Sequence, residues 1–222
     1  MYTNEQARAF TEEILSVGGD GLLQFWRLSE DPLVHVEELI KGVVPYSKGF
    51  RVLDAGCGTG TFLHLLSLLR PDTVRYGVNL FESQLPKYPA ETRFYVHDIQ
   101  DEKEWFVNDL DLVTCMYTLG HVNVEVVMRN LSKILTQGGR LLVWDIAPKT
   151  TQVNEIFGYN LHHPIFMRDY AYRAGMKVKE YSIYKEESVS LPKWLSGMMS
   201  EKQIDMVRRY TVPVRYVFEK EK

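Results

Sequence analysis

The stretch Val52-Leu53-Asp54-Ala55-Gly56-Cys57-Gly58-Thr59-Gly60 constrains this chain more than any other part of it. A short β-rich run, RVLDA, leads into glycines at every second position, and the apolar helical run TFLHLLSLL follows. Glycine lets a backbone turn tightly and lets a ligand approach it closely. In an open α/β sheet, ligands bind outside the carboxyl ends of the strands, where this loop falls. The spacing excludes two familiar phosphate cradles. A dinucleotide fingerprint needs G-x-G-x-x-G/A, and its last place here holds Thr61; a P-loop needs Gly-Lys-Ser/Thr, which does not follow. Asp54 sharpens the point. A carboxylate before the first glycine sits badly beside a pyrophosphate and well beside a cationic ligand or an ordered water.

The rest of the chain repeats the strand, turn and helix rhythm. RVLDAG, VRYGVN, RFYVHD, LDLVTCM and RLLVWD are short and β-rich, and several end in an acid or a polar residue. TFLHLLSLL and VEVVMRNLSKIL lie between them, which predicts a doubly wound α/β sheet of about seven strands with helices on both faces. Gln137-Gly138-Gly139 reads as a helix-ending turn before the fifth strand. A helix is expected near Pro164–Ala174, then late strands at KVKEYSIY and VPVRYVFEK. Upstream, Ala7, Phe10, Ile14 and Val17 predict one helix. Asp31-Pro32 starts a second, with Leu33, Val36, Leu39, Ile40 and Val43 as its apolar stripe. The expected organisation is one domain over residues 1–222, with an N-terminal helical cap at 1–48 and the Rossmann-like core at 49–222.

Composition narrows the function classes. With 222 residues, 45% of them hydrophobic, the chain can enclose a substantial core. Twenty-six basic against 29 acidic residues argue against a protein built to coat nucleic acid. The two cysteines, Cys57 and Cys115, make no disulfide framework, and Cys115 reads as a small core residue. No apolar run reaches the length of a bilayer span, and MYTNEQARAF lacks the regions of a signal peptide. A cytoplasmic protein with no membrane partner is expected.

The nonamer resembles the first motif of class I S-adenosylmethionine-dependent methyltransferases. That resemblance implies S-adenosylmethionine as cofactor, cradled by Asp54, Gly56, Gly58 and Gly60. The acid that commonly holds the ribose diol in this superfamily is missing at the end of the second strand. Asn79 and Gln84 offer amides instead, beside Leu80 in a G-V-N-L-F-E-S-Q segment, with Glu82 as the other choice. Asp98, followed by Ile99, takes the place of the adenine ligand, or else Asp98 caps a helix before DEKEW. Met116 at the end of the fourth strand is expected beside the methionine portion of the cofactor.

A narrower likeness extends to both ends of the chain. Gln152–Phe157, Asn160-Leu161-His162, Tyr170-Ala171, Leu191-Pro192-x-Trp194 and the closing YVFEK resemble geranyl diphosphate C-methyltransferases. Gly19-Asp20-Gly21-Leu22 with Phe25 and Trp26 resembles that branch's entry segment, which puts Trp26 at the cofactor. The resemblance implies methyl transfer to a prenyl diphosphate alkene through a carbocation, which aromatic faces stabilise. Phe157 leads the candidates for that role, followed by Trp26, Phe25, Tyr117 and Tyr159. Two departures stand out. The loop glutamate of that branch is replaced around Tyr117-Thr118-Leu119-Gly120-His121, which leaves His121 or His162 as the base. The entry segment reads Leu23-Gln24-Phe25-Trp26-Arg27. A diphosphate implies Mg2+ and a guanidinium, from Arg27 or Arg168, whereas the adjacent His162 and His163 lack the spacing of a zinc pair. The partner is then a small-molecule methyl acceptor, and a homo-oligomer is compatible with this reading. O- or N-methylation of another small metabolite, with His121 as base, is the alternative, and a silent cofactor-binding module is a third.

Overall fold

Asp31 opens the first helix as its sequence requires: its carboxylate accepts the Leu33 N–H at 2.8 Å, and Pro32 occupies the first turn. This helix, α1 (Pro32–Ile40), buries Val36, Leu39 and Ile40 against the sheet. The computed structural model describes residues 28–29, 31–82, 91–103, 105–156, 158–185 and 200–221. The helix expected around Ala7–Val17 lies outside them, as do Phe25, Trp26, Arg27, Gln84 and Phe157.

Among the described residues, seven strands form one sheet in the order β3 (Thr92–Val96), β2 (Val74–Asn79), β1 (Arg51–Ala55), β4 (Leu110–Met116), β5 (Leu135–Pro148), β9 (Thr211–Lys220) and β8 (Met176–Ile183). The parallel part comprises β1 to β5. β9 runs antiparallel to β5, and β8 pairs antiparallel with β9 at the edge. Both faces are covered. On one face α1 and α2 (Thr61–Leu69) pack over Val52, Leu112, Leu142 and Trp144. On the other, α3 (Val124–Ile134) and α4 (Pro164–Arg173) pack over Leu53, Val113, Leu141 and Phe218. Adjacent residues such as Val52 and Leu53 serve opposite faces, which is why these strands read as continuous apolar runs.

Three details depart from the sequence pattern. No separate turn ends α3 at Gln137–Gly139; β5 begins at Leu135, and its pairing with β4 jumps from Leu110↔Leu135 to Leu112↔Arg140. Gly138, at φ 76°, absorbs the irregularity. A two-residue ribbon, β6 (Glu155–Ile156) with β7 (Tyr159–Asn160), crosses beside the turn at Leu119–His121. Helix α5 (Glu201–Tyr210) precedes β9. It is amphipathic with Val207 buried, and Ser200 and Gln203 form a reciprocal capping box at its start; both signals were there to be read. Among the described residues, no helix is long and apolar enough to cross a membrane.

Candidate functional site

The parallel strands deliver their polar ends to one edge of the sheet. Ala55 pairs with Val78, Asp54 with Thr114, and Asn79 with Val96, so the loops after β1, β2, β3 and β4 lie side by side. The glycine loop is pinned there by its backbone. The N–H groups of Gly56 and Cys57 both donate to Val78 O at 2.9 Å, and that of Gly60 donates to Cys57 O at 2.8 Å. Gly56, Gly58 and Gly60 have φ of 81°, 51° and 79°, which residues with a side chain rarely adopt. They have different surroundings. A Cβ on Gly56 would meet the Thr118 side chain at 2.4 Å, whereas a Cβ on Gly58 would meet nothing within 4 Å. Gly56 is therefore a packing glycine, and Gly58 borders open space.

Asp54, one residue before the end of β1, lies buried. Thr114 Oγ1 donates to its Oδ1 at 2.7 Å, yet burial outweighs this bond and lifts the carboxyl to about 7. A buried carboxyl in this state gains most from a cationic neighbour, which would restore its charge. Asn79, at the end of β2, is buried, and its side-chain amide donates to Phe81 O at 3.4 Å. Leu80 is half-buried beside it, while Glu82 is exposed. Asp98 starts no helix. Its Oδ1 accepts the Gln100 N–H at 2.9 Å and shapes a turn, and the described residues at 99–103 are irregular. Ile99 sends its side chain into the core, and its carbonyl accepts Asn130 Nδ2 at 3.2 Å. Met116 and Tyr117 are both buried at the end of β4, against the α1 and α2 face. Tyr117 carries φ 49°, a conformation worth on the order of 1–3 kcal/mol of strain in a residue with a side chain.

The acceptor candidates gather around the turn at Leu119–His121. Asn160 Nδ2 donates to Gly120 O at 3.0 Å, and His162 Nε2 lies 3.2 Å from Leu119 O. The His121 ring meets the Tyr159 ring edge-on, with centroids 4.9 Å apart. Burial pushes the His121 imidazole down to about 4 and lowers that of His162 as well, so both rings are neutral at neutral pH. His163 points to other work: its Nδ1 accepts the Ile165 N–H at 3.4 Å and caps α4. Below the turn, the Tyr159 hydroxyl donates to Asp145 Oδ1, which also accepts the Ile146 N–H at 2.7 Å. Burial raises Asp145 to about 7 and drives the Tyr159 phenol well above its usual range. Cys115 is wholly buried, and burial with Asp145 and Asp54 nearby holds it as the thiol. Arg168 stands apart on α4, in a surface hollow with Ile165, Phe166, Asp169 and Tyr172.

Sequence reasoning missed Thr114, Thr118 and Asp145. Thr114 passes for an ordinary β-branched strand residue, and nothing local marks Thr118 as the neighbour of Gly56. Asp145 had a signal: it closes the apolar run RLLVWD and follows the last β5 residue paired with β4, much as Asp54 nearly ends the first strand. Tyr159 appeared only as an aromatic surface, whereas its hydroxyl is bound to a carboxyl.

Residues 53–141 match a family model described as a methyltransferase domain. An uncharacterised protein of Methanocaldococcus jannaschii is 28% identical over 139 residues, covering 62% of this chain and 60% of that relative. The chain thus spans less than two thirds of that relative's length. Among solved structures, the (4+2)-cyclase SpnF gives a TM-score of 0.77 at 14% identity, over 99% of this chain and 97% of that one. Geranyl diphosphate C-methyltransferase from Streptomyces coelicolor A3(2), in complex with Mg2+, geranyl diphosphate and S-adenosyl-L-homocysteine, gives 0.68 at 14% identity. That match covers 84% of this chain and 78% of the other. The likeness establishes the fold: an α/β, Rossmann-like methyltransferase sheet with flanking helices.

Proposed function

We propose that the chain transfers a methyl group from S-adenosylmethionine to a small molecule. One observation carries this reading. Gly58, which borders open space, and Asp54, a buried carboxyl lifted to about 7, belong to one loop at the joined ends of β1 to β4, within the segment that matches a methyltransferase domain. That arrangement suits a ligand with a narrow backbone-hugging portion and a cationic group. The methionine portion of the cofactor has both. Asp54 takes the ammonium, and Asn79 takes the ribose with Gln84 as its sequence neighbour. Asp98 and the backbone at Ile99 take the adenine. Bound there, the cofactor supplies an electrophilic methyl group, which asks of the protein mainly a collinear approach and a dry site.

The finer reading is C-methylation of a prenyl diphosphate alkene. Phe157 is the aromatic face for the resulting carbocation, and His121 or His162 is the base that removes a proton from it. The neutral imidazole of His121 supports this, because only a neutral ring accepts a proton. Tyr117, wholly enclosed, shapes the floor. Among the described residues no three His, Cys, Asp or Glu side chains gather, so Mg2+ arriving with a diphosphate would be held largely by the diphosphate and water. O- or N-methylation of a smaller metabolite, with the neutral His121 again as the base, is the second reading. Incubating the full chain with labelled S-adenosylmethionine and a panel of prenyl diphosphates and small metabolites tests both. Methylated prenyl product by mass spectrometry upholds the finer reading, and another methylated product selects the second. Cofactor binding with no transfer to any acceptor defeats both in favour of a silent binding module.

A further inference from the structure

Three residues of one short segment hold three consecutive residues of the turn that carries the candidate base. Asn160 binds the carbonyl of Gly120, His162 lies against that of Leu119, and the Tyr159 ring meets the ring of His121. The fit is tight. A Cβ on Gly120 would lie 2.3 Å from Tyr159 ring carbons, so Gly120 is glycine because Tyr159 stands there. Tyr159 is itself held, since its hydroxyl donates to Asp145 in β5. Asp145 accepts the Ile146 N–H and is almost fully enclosed, at 6% exposure.

A merely structural role explains this poorly. Burying a carboxyl and a phenol together is costly, and an apolar pair of similar volume would fill the same space without that cost. A directional hydrogen bond does what apolar packing cannot: it pins the hydroxyl end of the ring and so the direction of its axis, while close contact with Gly120 sets the plane that His121 packs against. On the reading that His121 faces the methyl acceptor, we infer that Tyr159, anchored by Asp145, is a positioning residue that sets the orientation of the His121 imidazole. Tyr159 touches no reacting atom in this role. It acts through the turn at Leu119–His121 and through the face that it offers to the His121 ring.

Tyr159→Phe keeps the ring and removes the anchor, and Asp145→Asn keeps an acceptor oxygen at the same place. Nitrogen-15 labelling of the histidines in the full chain, without ligand, reads the His121 ring directly. The expected result is one sharp, single-tautomer pattern for His121 in the parent protein. In Tyr159→Phe it becomes broadened or mixed, and in Asp145→Asn it is largely preserved. The affinity for S-adenosylmethionine should stay within about twofold in both variants. With whichever acceptor the panel identifies, kcat of Tyr159→Phe should fall about tenfold with little change in KM, while Asp145→Asn retains most of it. An unchanged His121 pattern in Tyr159→Phe overturns the inference, as does an equal loss of kcat in both variants. Should Tyr159→Phe not fold, Asp145→Leu gives the same comparison against Asp145→Asn. A shifted His121 pattern in a protein that methylates nothing upholds the positioning role and defeats the proposed activity. Methyl transfer with an unmoved ring does the reverse.

Discussion

The glycine loop at 54–60 and the turn at Leu119–His121 lie at the ends of neighbouring strands, yet the first is shaped by backbone and the second by side chains. In the loop, positive φ at three glycines and two N–H bonds to Val78 O define the space. In the turn, Tyr159, Asn160 and His162 reach in from a distant part of the chain. Asp54 in the loop and His121 in the turn also titrate in opposite senses. Asp54 has a folded value above its unfolded one, so the stability linked to it is present below about pH 4 and lost as pH rises through about 7. His121 has a lowered folded value, so its contribution is present above about pH 6.5 and lost as pH falls through about 4. Asp145, under the turn, behaves as Asp54 does. The loop is therefore most sensitive at its glycines and at Asp54, and the turn at the side chains that hold it.

Four substitutions test that contrast. The largest effect is expected for Asp54→Asn, which keeps an acceptor for Thr114 and removes the buried charge. It should stabilise the ligand-free protein at pH 8, by up to on the order of 4 kcal/mol, and should change little at pH 4. Chemical denaturation at the two pH values reads this, and the same variant should bind S-adenosylmethionine more weakly. Equal stability at pH 8 would mean that Asp54 is solvated and the loop is not closed over it. Gly58→Val comes next. Calorimetry should show a loss of affinity of about 100-fold, near 2.7 kcal/mol. The strain of a side chain at φ 51° costs the fold roughly 1–2 kcal/mol. Undiminished cofactor affinity would remove the loop from the site.

Gly120→Ala probes the other flank and should cost stability, about 2 kcal/mol, through collision with the Tyr159 ring. Pairing it with Tyr159→Leu should recover part of that loss, a non-additivity that a double-mutant cycle measures. Purely additive losses would separate the turn from Tyr159. The smallest effect is expected for Asn130→Ala. Asn130 on α3 donates to the carbonyls of Ile99 and Asp101 and so braces the Asp98 turn. Its loss should cost about 1 kcal/mol of stability and loosen cofactor binding a few-fold without touching the ligand. Unaltered binding would show that the Asp98 turn holds its shape alone.

The alternation of β-rich and helical runs was enough to predict the α/β sheet, because buried parallel strands and amphipathic helices advertise themselves over a few residues. The nonamer likewise marked its own loop, since each glycine and Asp54 lie within nine consecutive positions and the chemistry of the turn is local. Even α5 was legible in Ser200 and Gln203, three positions apart, for the same reason. The sequence could not show that Gly56 is a glycine for Thr118 and Gly120 one for Tyr159, because those partners stand 62 and 39 positions away. Nor could it foresee that Asp54 and Asp145 become weak acids, since burial is a property of the assembled sheet and not of the residue. What lies within one strand, turn or helix was determined by the sequence alone. What depends on two distant segments closing water out between them was decided only by the tertiary structure, because desolvation and steric contact act through space.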